Sequence, residues 1–308
     1  MSVPMRSLRA LLTRAARKAT GLALGSAMLV ALAAAGPVRA EPALWVVKDA
    51  DSTVYLFGTV HVLKPGSSWR TPKVDAALNE SGEVWFELAE TGDEEASAKV
   101  AAALLPQLGV DLARPLSSRL SAQDRVRLAQ GSRALGILVA QLEPMRPWLA
   151  ALTFALAPIV KAGYDPKLGV DSLLGAAARA QNKPIRAFET MEQQFRFFAD
   201  LPPAIELQLL REALDELDRG PEVLDGLSRA WSEGDTKAFE RLFVDELRDS
   251  PELYKVLIDD RNEAWANAIA QRMKGAGVSF VAVGAGHLTG PDSVQAKLAR
   301  RGLEAERR

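Results

Sequence analysis

One pattern occurs twice in this chain and limits what it can fold into. Val54-Tyr55-Leu56-Phe57-Gly58-Thr59-Val60-His61 is a β-branched and aromatic run that ends in glycine, two residues and histidine. Val278-Ser279-Phe280-Val281-Ala282-Val283-Gly284-Ala285-Gly286-His287 repeats the plan, and the chain has no other histidine. Runs this short, apolar throughout and bounded by glycine read as strands buried on both faces. Such strands belong to sheets covered by helices. In open α/β sheets ligands gather beyond the carboxyl ends of the strands, which is where both histidines fall. Gly58 and Gly284 let the backbone turn or pass close to a ligand where a Cβ would clash. A histidine after a strand often serves only to cap or to bond a carbonyl. Two in the same context, with no third anywhere, point instead to one site shared by two distant segments.

The chain in order gives an α/β fold: a central, mostly parallel sheet with a starting hairpin, helices on both faces and a large helical insertion. Leu44-Trp45-Val46-Val47 and Thr53 to Phe57 flank Lys48 to Ser52, which has hairpin turn chemistry. Thr71 and Pro72 suit an N-cap and first turn, with Val74, Ala77 and Leu78 as the apolar stripe of a short helix. Val84-Trp85-Phe86 is the next buried strand and ends at Glu87; Pro184 to Glu189 is a weaker one, also ending in a carboxylate. Between about residues 93 and 182 the apolar spacing is helical, as in Val100, Leu104, Leu105 and Leu108, and this block reads as an insertion that walls or covers the site. Further helices fill the stretch from Met191 to Met273. On the last of them Asp260 and Arg261 fall on the stripe of Leu253, Val256, Leu257, Ala264 and Ala268 at 100° per residue, so they are either paired and buried or aimed at a pocket. A helix from Pro291 to Arg300 and a frayed edge strand near Leu303 to Ala305 close the chain.

Residues 1–40 carry Arg6, Arg9, Arg14, Arg17 and Lys18, an apolar segment from Gly21 to Ala35, and Val38-Arg39-Ala40 before Glu41. That is the plan of a secretory signal peptide, and it predicts an exported, periplasmic or secreted protein whose single domain is 41–308. The apolar segment is shorter than the roughly 20 residues that span a bilayer, so no stable membrane anchor is expected after cleavage. Residues 1–40 hold six Lys or Arg and no acid, which leaves 32 basic against 39 acidic residues beyond them, a formal charge of −7. Nucleic-acid binding calls for a basic face, so it is not expected. There is no cysteine, so thiolate nucleophiles and sulfur ligands are excluded and any metal site must use His, Asp and Glu. A phosphate loop, a dinucleotide fingerprint and a G-x-S-x-G elbow are all missing, which argues against kinase, dehydrogenase and serine-hydrolase readings.

Two histidines and one carboxylate form a recurring ligand set for a catalytic divalent ion. Glu87 is the natural third ligand to His61 and His287, with Glu189 in reserve and Glu90 already past the strand. The ion, Mn, Co or Zn, would acidify a bound water and polarise a carbonyl, as amide or ester hydrolysis requires. The pattern suits equally a metal-free hydrolase in which one histidine is general base and Glu87 orients it. A non-catalytic protein that holds a peptide or haem-like ligand in the same cleft is the third reading. Asp171 either caps the helix after Gly169-Val170 or joins the site, and Arg261 either pairs with Asp260 or Glu189 or touches substrate.

Taken in order, Gly58-Thr59-Val60-His61, Glu87 after Val-Trp-Phe, Gly169-Val170-Asp171, Phe188-Glu189-Thr190 with Gln193 or Gln194, Arg261-Asn262 and Val283-Gly284-Ala285-Gly286-His287-Leu288 resemble the motifs of the TraB/GumN family, which is related to the Tiki proteins. The resemblance spans essentially all of 41–308. It implies an α/β core with helical insertions similar to erythromycin-esterase-like and ChaN-like proteins. The Tiki branch implies a metal-dependent protease acting on a peptide or protein substrate. Carried over, catalysis and metal binding would rest on His61, Glu87 and His287, and Gly58, Asp171, Glu189, Arg261, Asn262, Gly284 and Gly286 would contact substrate or support the ligands.

Overall fold

A computed structural model describes residues 41–217 and 219–308; the leader expected over residues 1–40 lies outside the described residues. Six strands form one sheet: β1 (Leu44–Lys48), β2 (Ser52–Thr59), β3 (Glu83–Leu88), β4 (Ile185–Glu189), β5 (Gly277–Gly284) and β6 (Ala305–Arg307), in the order β4-β3-β5-β2-β1-β6. β4, β3, β5 and β2 run parallel, while β1 is antiparallel to both β2 and β6. The α/β class, the starting hairpin and the mostly parallel sheet are therefore as expected, and the frayed end is a short edge strand two residues further on than the sequence placed it.

Alternation along β2 and β5 feeds two cores. Phe57, Phe280 and Ala282 pack with Val74, Ala77 and Leu78 of the helix Pro72–Glu80 and with Val170, Leu174 and Ala178 of the helix Val170–Ala180. Val54, Leu56, Val281 and Val283 face the other way onto Trp265, Ala266 and Ile269 of the helix Asp260–Arg272 and onto Val294 and Leu298 of the helix Val294–Ala299. A parallel sheet covered on both faces needs such unbroken apolar strands. The helix Pro72–Glu80 is capped as the sequence indicates, Thr71 accepting from the Val74 N–H at 3.3 Å. A third apolar cluster, around Leu128, Phe154, Leu210 and Leu214, joins the helices Ala122–Leu135, Pro147–Lys161 and Pro203–Asp215.

The helix before β5 departs from the sequence reading. Lys255–Asp259 is a π-helical turn, after which Asn262, Trp265, Ala266 and Ile269 are buried, while Ala264 is exposed. The wider turn inserts one residue and rotates the rest of the helix, so a wheel drawn at 100° per residue through Leu253 puts the wrong alanines inside. Asp260 points outward and pairs with Lys255, while Arg261 turns in. The closing helix is shorter than expected, Val294–Ala299, with Ser293 as its N-cap.

Candidate functional site

Register brings the two histidine segments together. In the parallel pair β2·β5, Thr59 lies opposite Gly284, so both chains leave the sheet at the same level. β5 then enters a single turn, Ala285–Leu288, that carries His287, and β3 delivers Glu87 beside it. Gly284 is required for space. A Cβ there would lie 3.2 Å from Glu87 Oε1, 3.6 Å from His287 Cδ2 and 3.8 Å from His61 Nε2, so the three groups meet over its hydrogen. Gly58 and Gly286 stand back from this point: a Cβ on Gly58 would press on Ala285, and one on Gly286 would meet the ring of Phe243 at 2.6 Å.

Arg261 is the hub. Its Nε and Nη2 bond Glu189 Oε1 and Oε2 at 2.8 and 2.9 Å, Nη2 also bonds Glu87 Oε2 at 2.6 Å, and Nη1 meets His287 Nε2 at 3.0 Å. The guanidinium rests on Trp265, 4.7 Å from the ring centroid, and Trp265 Nε1 donates to Glu189 Oε1 at 3.0 Å. Gln194 Nε2 bridges Glu87 and Glu189, 3.1 Å from each, while its neighbour Gln193 is used in the capping box of the helix Met191–Ala199. Glu87 Oε1 takes the Gly284 N–H at 2.8 Å. Burial is the largest influence on Glu87 and works against its charged form, but the Arg261 guanidinium, the two imidazoles and the Gly284 N–H together outweigh it and hold the carboxyl down at about 2.

His287 is buried against Trp265, ring centroids 4.3 Å apart. Asn262 Nδ2 donates to the carbonyls of His287 and Asp292, so its Oδ1 accepts, and His287 Nδ1–H supplies that bond at 2.6 Å. This network assigns the tautomer and leaves Nε2 as the acceptor from Arg261. Burial and the adjacent guanidinium push the imidazole down to about 3, so it is neutral. His61 is the opposite case, with 65 % of its side chain exposed at the mouth and Nδ1 3.2 Å from Asp171 Oδ2. Local desolvation opposes its charged form, but the Asp171 hydrogen bond and the nearby carboxylates push it up to about 9. Water reaching so open a ring screens those carboxylates.

Arg261 joins Glu87, Glu189, His287 and Asn262 in one hydrogen-bonded cluster, the His61–Asp171 pair lies beside it across Gly284, and Arg261 pairs with Glu189 rather than Asp260. Glu90 is outside it. Trp265 was not singled out by the sequence, and Gln194 only as an alternative to Gln193. Trp265 carried a signal, being four residues after Arg261 on one helix. Both imidazoles are anchored through Nδ1; Nε2 of His61 is left toward the crevice while that of His287 meets Arg261, and with Glu87 the three residues are of the types that hold a divalent ion. Arg261 already sits on two of the three donors, so an ion would reach His287 only if the guanidinium gave it up.

A model of the TraB/PrgY/gumN family matches residues 43–307. The uncharacterized protein YbaP of Escherichia coli (strain K12) is 25% identical over 249 residues, covering 81% of this chain and 89% of that protein. YbaP of Shigella flexneri is 27% identical over 193 residues, 63% of this chain and 71% of its own. An uncharacterized protein of Treponema pallidum (strain Nichols) is 25% identical over 278 residues, 82% of this chain and 79% of its own. No solved structure matches.

Proposed function

From the premise that this chain belongs to the TraB/PrgY/gumN family, we propose that it is a hydrolase of acyl bonds, peptide bonds first, working in the crevice beyond the carboxyl ends of β2, β3 and β5. The observation that carries this reading is the Asp171–His61 pair at the crevice mouth, 3.2 Å apart, with Nε2 of the ring turned inward. Asp171 fixes the tautomer so that Nε2 accepts the proton of an attacking water. Arg261, whose N–H groups are given to Glu189, Glu87, His287 and the Leu257 carbonyl, keeps Glu87 ionised and fixed beside the reacting group. Because His61 holds its proton tightly, the base form grows as pH rises, and hydrolysis gains an ascending limb between pH 6.5 and about 9.

A second reading is favoured by the Nδ1 anchors on both rings. His61, Glu87 and His287 would hold a divalent ion, which when bound supplies an acidified water and a Lewis acid. One experiment separates the two readings: peptide hydrolysis by the protein before and after chelation, with Mn, Co or Zn returned, beside His61→Ala. Hydrolysis that survives chelation and collapses in His61→Ala supports the metal-free reading. Loss on chelation and recovery with one ion supports the second. No hydrolysis under any condition leaves neither standing. We also propose that the work is done outside the cytoplasm, on the strength of the basic and apolar pattern of residues 6–40.

A further inference from the structure

A guanidinium carries five N–H donors, and all five on Arg261 are engaged inside the protein. Nε and one N–H of Nη2 go to Glu189, the other N–H of Nη2 goes to Glu87 Oε2, and Nη1 serves both the Leu257 carbonyl at 3.2 Å and His287 Nε2 at 3.0 Å. No donor is left for a substrate. What the group does instead is close lone pairs. His287 has one acceptor nitrogen, because its Nδ1–H is held by Asn262 Oδ1, and such a nitrogen has a single lone pair in the plane of the ring. Arg261 occupies that pair.

A metal ion would need the same lone pair. His287 Nε2 and Glu87 Oε1 stand 4.0 Å apart, inside the span of at most about 4.2 Å that two donors can have on one ion. His61 Nε2 approaches from the other side of Gly284, so the three residues converge on one point. Two cations cannot share that point. One lone pair serves either an N–H or an ion, and a guanidinium repels a dication strongly at a few ångströms where water is scarce. Nor does the guanidinium yield easily. Its side chain is 11 % exposed, it lies on the ring of Trp265, and both oxygens of Glu189 grip it.

We propose that Arg261 is a built-in cation that competes with divalent ions for this site, so that guanidinium and ion are alternative occupants and the parent protein binds such ions weakly. The proposal goes beyond both hydrolase readings and holds whether or not the crevice cleaves anything. Calorimetric titration of Zn²⁺ at pH 7 tests it in the parent and in Arg261→Leu, a change that removes the charge and brings no donor of its own. Arg261→Leu binds Zn²⁺ at least about a hundredfold more tightly than the parent, because a like charge is gone and a donor nitrogen is freed. Adding His287→Phe, which keeps a ring but has no lone pair to give, abolishes the gain. Should Arg261→Leu fail to fold, the same titrations are made in Arg261→Leu with Glu189→Gln, where only one carboxylate is left without its buried partner, and the same gain and loss are expected. Equal binding by parent and variant, whether tight or absent, overturns the proposal. So does a gain that survives His287→Phe, which would put the ion elsewhere. Failure of the hydrolase reading shows as absent turnover, which this titration does not measure, so the two can fail separately.

Discussion

Replacing Arg261 by methionine keeps much of the stem over Trp265 and deletes the charge. The guanidinium is 11 % exposed and donates three hydrogen bonds to the carboxylates of Glu87 and Glu189, themselves 13 % and 8 % exposed. Breaking a buried pair from one side costs about 3–5 kcal/mol, because the partner charge is left in a poor solvent. Here Gln194, Trp265 and the Gly284 N–H still donate to the two carboxylates, which places the loss near the lower end, about 3 kcal/mol at pH 7. Acid should narrow the gap. In the parent, Glu87 is held at about 2, so its contribution is present above its ordinary 4.5 and is lost as pH falls through 2; without Arg261 that contribution is already gone. Urea unfolding of the parent and of Arg261→Met at pH 7 and at steps down to pH 3 measures this, and Arg261→Met with Glu189→Gln should recover at least about 1 kcal/mol. A loss under about 1 kcal/mol at pH 7, a gap that stays constant in acid, or no recovery in the double variant would refute the account of Arg261 as counter-ion to two buried carboxylates.

Three further outcomes are expected of the same cluster. His287 is held near 3 in the fold against an ordinary 6.5, so the unfolded chain takes up the proton first; stability is full above pH 6.5 and falls by up to about 1.4 kcal/mol per pH unit toward 3, and His287→Gln flattens that slope in pH-stepped denaturation. Gly284→Ala puts a Cβ 3.2 Å from Glu87 Oε1, so the carboxylate held by Arg261 and the Gly284 N–H has to give by a few tenths of an ångström, lowering stability by about 1 kcal/mol in a thermal melt; an unchanged melt refutes the close-approach argument. Asp171→Asn removes the charge that holds the His61 proton, so the ascending limb of hydrolysis moves down toward pH 6.5 while the rate falls on the order of 100-fold. A limb that stays in place would remove Asp171 from the pair.

The parts of this site that could be read in the chain are those set by local rules. Glycine after an apolar run, histidine two residues on and glutamate at a strand end needed only period and turn chemistry, and the sheet then juxtaposed them. The role of Arg261 could not be completed that way, because the π-helical turn Lys255–Asp259 resets the direction in which the helix after it faces, so that Arg261 meets Glu189 and Glu87 while Asp260 turns out to Lys255. Gln193 and Gln194 were equivalent in sequence and became distinct only when Thr190 engaged the first in a capping box. Asp171 follows an N-cap glycine, which looks like simple helix initiation; its bond to His61 depends on the approach of two backbones, since a Cβ on Gly169 would lie 2.4 Å from the His61 carbonyl oxygen.

The strand order also sets a timetable. β5 lies between β2 and β3, yet it begins at Gly277, close to the end of the chain. Until it is made, β1 with β2 and β3 with β4 are two separate pairs with open edges, and neither apolar face has its full partner. A ribosome must therefore finish nearly the whole polypeptide before the central pairing can form, and a chain cut short before Gly277 leaves both pairs as templates for misassembly. A growing chain of this topology cannot complete its sheet until late in synthesis.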